Sequence, residues 1–162
     1  MMIKNLKKID SIVLSDYILL KYGAMSHLKL QKLLFYCDAY HLAYFDEELV
    51  TDKFQAWVHG PVSRKVFDSF KDKSILYADL SFDGDKENVL KLFLELISEQ
   101  QELINDILSV LSQWTSMQLE TSTHNETPWV EARKGAAKGD ICCNEISKET
   151  TKLFYKKELR LS

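Results

Sequence analysis

Residues 27–45 read HLKLQKLLFYCDAYHLAYF, and this stretch decides the fold. Ser26 precedes it and can accept the free amide protons of a helix start. On a helical projection Leu30, Leu33, Leu34, Cys37, Tyr40, His41, Tyr44 and Phe45 crowd one side, while Phe35, Tyr36, Leu42 and Ala43 fall on the others. A helix that is apolar nearly all round belongs at the centre of its fold, as the most buried element. The reading is therefore a mainly α, compact, single-domain helical fold around a buried central helix at about residues 27–45. At most a short extended segment is expected, near 50–60 or 74–82.

Upstream, Ile9, Ile12, Val13, Tyr17 and Leu20 recur at helical spacing, and Gly23 stands where a C-terminal cap would sit. Downstream, residues 46–61 (DEELVTDKFQAWVHGP) lose the period and end in Gly-Pro, which reads as extended chain or a turn. Val62, Val66, Phe67 and Phe70 then give a short helix, and residues 74–82 fit strand and loop equally well. A strongly periodic stretch starts at Lys86, with Asp83 and Asp85 as candidate caps, and Ser98 with Gln101 fits capping-box spacing for a restart that runs through Trp114. The pattern leaves open whether this is one helix or two. A short helix around residues 117–119, the polar run ETSTHNET, and Pro128 opening a helix to Arg133 follow. RKGAAKGD, with two glycines, is the candidate mobile loop. Ser147 can cap a last helix that holds Leu153 and Phe154, with Lys152, Lys156 and Arg160 along one face.

Composition narrows the class. At 162 residues, with 46% apolar and 28% charged, the chain has the length of one domain and would bury ~70% of its unfolded surface. No repeat, low-complexity tract or linker divides it, so 1–162 is read as one domain. Twenty-one Lys and Arg against 24 Asp and Glu give a formal charge of -3, which offers no global field for a phosphate backbone. The basic ridge near the C-terminus reads as a solvated face, and nucleic acid is not expected as a partner. Lys4, Lys7, Lys8 and Asp10 interrupt the first apolar residues, and no window nears the ~20 apolar residues that span a bilayer. With three cysteines, an odd number, two of them adjacent, a cytoplasmic location with reduced thiols is expected.

Catalytic signatures are mostly missing. The chain has no GxxxxGK[ST], GxGxxG or GxSxG. His124-Asn125-Glu126 fits the H-x-E half of a zinc deaminase signature, but the P-C-x-x-C half does not follow: Trp129 comes after Pro128, and Cys142-Cys143 are adjacent. No metal or other cofactor is expected. Cys37 sits at helical spacing among Leu33, Leu34 and Tyr44 and reads as a small buried hydrophobe. His41, with Asp38 three residues earlier to orient its ring, reads as a satisfied core histidine. Trp57, Trp114 and Trp129 serve equally well as core or interface anchors.

Three separated segments carry a family resemblance. Lys29-Leu30-Gln31-Lys32-Leu33-Leu34-Phe35-Tyr36, then Ala56-Trp57-Val58-His59-Gly60-Pro61-Val62, then Leu119 with Thr123-His124-Asn125-Glu126 and Pro128-Trp129, resemble in order and spacing the pattern of Panacea-domain proteins. That group includes phage-associated GepA-like proteins and SocA-like antitoxins. The likeness runs from about residue 12 to residue 154. Phe35 stands where Tyr is common, and the double cysteine is no part of the pattern.

The resemblance implies a compact helical domain that acts as the antitoxin of a toxin–antitoxin pair, not as an enzyme. Its partner would be a cognate protein toxin, encoded by an adjacent gene, and some relatives present the bound toxin to an ATP-dependent protease. A small-ligand enzyme with a His/Glu groove is the alternative from another class. Two readings of the motif residues Trp57, His59, Gly60, Pro61, Thr123, His124, Glu126 and Trp129 stand side by side. Gly60 and Pro61 can fix a turn, and Thr123 can cap the turn or helix start that brings His124 and Glu126 round, so the motifs hold the fold together. Otherwise His59, His124, Glu126 and Trp129 line a shared groove that receives a partner segment. Packing alone predicts that Trp129→Ala costs ~3–5 kcal/mol of stability.

Overall fold

The computed structural model describes residues 5–72 and 78–161. Its first helix, α1 (Ser11–Tyr22), starts where the Asp10 carboxylate accepts the Ile12 N–H at 2.8 Å and stops at Gly23, whose φ of 94° favours glycine. Strand β1 (Met25–Ser26) leads directly into α2 (His27–Phe45), capped by the Ser26 hydroxyl on the Lys29 N–H at 3.1 Å. The expected central helix is thus found with its expected cap. Fifteen of its 19 residues are buried, so it has no wide solvent stripe and is wrapped on all sides.

The period-free stretch that ends in Gly-Pro is a hairpin, β2 (Phe54–Trp57) and β3 (Gly60–Ser63), paired antiparallel with Trp57 opposite Gly60. The turn residues Val58 and His59 keep negative φ, and Gly60, which follows them at φ 120°, takes the left-handed position that returns the chain into β3. Ser63 ends the hairpin and caps α3 (Arg64–Phe70). Of the residues 74–82, those from 74 to 77 lie outside the described residues; β4 (Asp79–Leu80) pairs antiparallel with β1.

The long periodic stretch is two helices, α4 (Lys86–Phe93), capped by Asp85, and α5 (Ser98–Leu111). The expected Ser98/Gln101 box does not form. Gln100 reaches back to the Ile97 N–H at 3.2 Å, one residue out of register, while Gln101 donates to the Leu96 carbonyl at 2.7 Å. Helix α6 (Ser116–His124) begins with a Thr115/Gln118 capping box and runs into the stretch read as a polar run. Helices α7 (Thr127–Ala132), with Pro128 in its first turn, and α8 (Lys148–Glu158), capped by Ser147, complete the order.

One hydrophobic cluster runs from Ile9 to Tyr155, with α2 packed against α8, α5, α1, α6 and the hairpin. One expectation is corrected here. Asp38 does not orient His41: the imidazole is held by the Glu47 carbonyl at 2.6 Å and Gln100 at 2.9 Å. The Asp38 carboxylate accepts the Leu49 and Val50 N–H groups and meets Lys148 Nζ at 2.7 Å, joining α2 to α8. His41 remains a satisfied core histidine.

The loop after Arg133 is organised around a buried guanidinium, which donates to the carbonyls of Ala56, Ala137, Lys138 and Asp140. Finally, α8 buries Thr151 and Tyr155 while Leu153 is exposed, and its basic ridge is partly neutralised by Lys152–Glu149 and Lys156–Asp46 pairs at 3.2 and 2.9 Å. Among the described residues no helix is long and apolar enough to cross a membrane.

Candidate functional site

The three motif segments lie far apart in the chain, and the fold closes them into a triangle with α2, the β2–β3 hairpin and the α6–α7 corner as vertices. Each side is made by named polar contacts.

On the side between α2 and the hairpin, the Gln31 amide clamps one peptide of β3. Its Oε1 accepts the Ser63 N–H at 2.8 Å and its Nε2 donates to the Ser63 carbonyl at 3.2 Å. At the next position, Lys32 is fully buried beneath Gly60. A Cβ on Gly60 would stand 3.0 Å from Lys32 Cε, 3.1 Å from Thr123 Oγ1 and 3.2 Å from Lys32 Nζ. Glycine is thus required there twice over, by its φ and by the space. Among the described residues the Lys32 ammonium has one hydrogen-bond acceptor, the Leu28 carbonyl at 3.4 Å. Desolvation brings its pKa from the ordinary 10.5 down to about 7, against the pull of the Glu120 carboxylate.

The hairpin meets the α6–α7 corner through Trp129, whose indole N–H donates to the Trp57 carbonyl at 2.8 Å. The Arg133 guanidinium lies 5.0 Å from the centroid of the Trp129 ring, and the His124 imidazole stacks on that ring at 4.0 Å. His59, in the hairpin turn, meets Glu120 of α6 at 3.0 Å. Burial lowers the His124 pKa below its ordinary value, opposed by Glu120, and its Nε2 is buried without a hydrogen-bond partner among the described residues. Thr123 does not cap a turn; its hydroxyl donates back to the Glu120 carbonyl at 2.9 Å inside α6 and faces Gly60.

Glu126 closes the third side. Its Oε1 accepts the Tyr36 hydroxyl of α2 at 2.5 Å and the Tyr155 hydroxyl of α8 at 2.8 Å, and the Tyr36 oxygen, its one proton given to Glu126, accepts from the Ser122 hydroxyl at 2.9 Å. Desolvation raises the Glu126 pKa and the two phenols pull it back. Both phenols are themselves pushed up by burial first and by the Glu126 charge second, so they stay protonated and donate.

His124 and Glu126 therefore serve different partner sets: the imidazole faces Trp129 and the Lys32/Glu120 pair, the carboxylate faces the tyrosines. Cys37 is fully buried, with its thiol pushed up by desolvation. No group of three or more His, Cys, Asp or Glu that could hold a metal is found among the described residues.

Two depressions open on the surface. A cavity of ≈ 410 Å³ at the hairpin is lined by Leu28, Trp57, Val58, His59, Val62 and Arg64 with the 141–143 segment. Of the candidate site residues it takes in Trp57 and His59, while Gly60, Thr123 and Trp129 are buried behind it. The second, of ≈ 510 Å³, lies between the C-terminal half of α2 and α5 and contains Tyr40, Tyr44, Glu102, Asp106, Val110 and Trp114. The sequence reading quoted Gln31, Lys32 and Tyr36 within a motif but gave them no role. The signal for Lys32 was there: a lysine within a helix otherwise apolar on nearly every side has no solvent face to reach.

The three motifs are thus knitted to one another across α2, the hairpin and the α6–α7 corner, and the hairpin cavity opens on Trp57 and His59. Residues 30–130 match the family described as antitoxin SocA-like, Panacea domain. That span is more than half of the 162 residues, and the chain belongs to this family. No curated protein and no solved structure matches it.

Proposed function

We propose that this chain is the antitoxin of a toxin–antitoxin pair, acting in the cytoplasm as a folded domain that binds a cognate protein toxin stoichiometrically and occludes its active surface. The observation that carries the reading is membership of an antitoxin family over residues 30–130. The site geometry supports it: Gln31, Trp129 and Glu126 spend their polar groups on one another's elements, as a scaffold requires, and the H-x-E pair is split between two environments. On this reading Gly60, Pro61, Thr123, Glu126 and Trp129 hold the fold, and the exposed faces do the recognising. A toxin interface of standard size would bury ~1,600 Å² in total.

The test is co-expression. The neighbouring gene, expressed alone, should arrest growth; expressed with this chain it should not, and the two products should co-purify at a fixed stoichiometry. Equal arrest in both cultures overturns neutralisation. A toxin whose half-life falls when this chain is present would assign the effect to delivery to an ATP-dependent protease instead of occlusion.

A further inference from the structure

The groove between α2 and α5 carries two features that point to what covers it. The first is apolar exposure. Tyr44, Val110 and Trp114 are large side chains at 46%, 57% and 38% exposure, and all three border this one groove, above a floor that includes Leu103 and Ile107. A contiguous exposed patch of this kind marks an interaction surface more often than scattered apolar residues do.

The second is charge. Glu99, Glu102 and Asp106 are exposed along the same face of α5, spaced three and four residues apart, so one turn of helix separates each from the next. None of the residues that line the groove is Lys or Arg, and among the described residues no cation pairs with Glu102 or Asp106. The Trp57–His59 cavity has no such preference, because Arg64 and His59 stand on its wall.

The groove follows α5 from Glu99 to Leu111, a run of roughly 18 Å at ~1.5 Å per residue, with Trp114 just beyond the helix end. That length accommodates about three turns of a docked helix. Helix-in-groove recognition uses apolar anchors on one face of the ligand, and an acidic rim selects a ligand whose flanking positions are Lys or Arg.

We propose that this groove is the docking surface for the protein partner and that its occupant is a basic amphipathic helical segment of that partner, with apolar anchors between Tyr44, Val110 and Trp114 and its cations opposite Glu102 and Asp106. The inference rests on the antitoxin reading and names the face that serves it.

The experiment uses the full chain with the product of the neighbouring gene. Amide hydrogen exchange is compared between free chain and co-purified complex, and growth rescue is scored for wild type, for the double reversal Glu102→Lys/Asp106→Lys, and for Val110→Asp. All three positions are exposed, and unchanged helical circular dichroism and melting confirm the fold of each variant. Slowed exchange over residues 99–114 and 40–45 is expected in the complex. The double reversal should weaken the complex at least 10-fold, with the wild-type affinity falling as salt is raised and the variant's not.

Rescue by both variants equal to wild type, or exchange unchanged along α5 while another face is protected, overturns the docking assignment and leaves the antitoxin reading intact. Failure of the wild type itself to rescue overturns the antitoxin reading. A concentration-dependent dimer of the free chain that the double reversal abolishes would assign the groove to a second copy and overturn the partner assignment.

Discussion

Lys32→Met replaces a buried cation by an apolar side chain of similar length, and its effect can be worked out from the burial of the amine. The wild-type ammonium titrates at about 7 in the folded protein against 10.5 for an ordinary lysine. Between those values the unfolded chain binds more protons than the folded one, so wild-type stability rises with pH across the window from 7 to 10.5. Linkage puts the penalty for burying the cation at roughly 4 kcal/mol at pH 7 and roughly 2 kcal/mol at pH 9. Methionine carries no such term.

Against it stands the loss of the 3.4 Å bond to Leu28, worth about 1–2 kcal/mol; the attraction of Glu120 is already contained in the shifted pKa. The variant should be about 2–3 kcal/mol more stable than wild type at pH 7, an advantage that shrinks by about 2 kcal/mol at pH 9. Urea titrations of both proteins at the two pH values measure this as a difference in midpoint shift of about 1 M, for a slope of about 2 kcal/mol per molar. Apart from His124 and Glu120, which feel the Lys32 charge, the other titrating groups are common to the pair and cancel. A stability difference that is flat in pH, or a Lys32 side-chain carbon signal that titrates near the ordinary lysine value, would falsify the account of a desolvated amine under Gly60.

Four further outcomes follow from the triangle. Gly60→Ala should cost about 2–4 kcal/mol, because it forces an L-residue to a φ of 120° and drives a methyl into Lys32 and Thr123; a midpoint within error of wild type is the contrary result. Glu126→Ala leaves two buried phenols without their acceptor and should cost about 1–3 kcal/mol, whereas Glu126→Gln keeps an acceptor and should cost less; equal losses in chemical denaturation would argue against the phenol pair. Lys148→Met strands the Asp38 carboxylate, only 3% exposed, and should lower stability at pH 7 by about 3–5 kcal/mol, with part of the loss recovered in Asp38→Asn/Lys148→Met if the cost is the unpaired charge. Arg133→Met removes the donor that gathers three loop carbonyls, and amide exchange over residues 134–140 should accelerate without a comparable change in α2.

The central helix was legible to the residue because two independent signals agree on it: a serine cap at its start and an apolar pattern with no polar stripe. Helical spacing with a glycine at the C-terminal end placed α1, and a serine cap with a basic face placed α8. Legibility failed where a side chain's partner is chosen by tertiary distance. Asp38 sits three residues from His41, the spacing of a helical neighbour pair, yet its carboxylate is taken by two backbone amides of the following loop and by Lys148, 110 residues away. Nothing in a single sequence ranks that pairing above the local one.

Ser98 and Gln101 likewise fit a capping box that Gln100 pre-empts one residue earlier, since Gln100 also holds His41 and the Lys7 carbonyl and so is fixed by the core. Of the candidate site, the three motifs were visible as words but not as a triangle. Thr123 reads as a cap by composition and acts as a packing partner for Gly60, and Glu126 reads as the neighbour of His124 although the end of α6 turns it toward Tyr36.

The division between inward motifs and outward groove has an energetic consequence. Apart from Lys32, changing a vertex of the triangle leaves a buried group unpaired or overpacked, at about 1–5 kcal/mol against a total domain stability of about 5–15 kcal/mol. Changing Glu102, Asp106 or Val110, which are exposed, alters stability by only about ±0.5 kcal/mol, while a reversed charge at an interface shifts partner preference by more than that. On the proposed reading, a scaffold built this way can be re-aimed at a different toxin by substitutions on one face of α5 without touching the contacts that hold α2, the hairpin and the α6–α7 corner together. Transplanting residues 99, 102, 106 and 110 from a relative with a different toxin should therefore exchange the neutralised partner while leaving the melting temperature in place; a graft that unfolds, or that keeps the original specificity, would show that recognition and scaffold are not separable here.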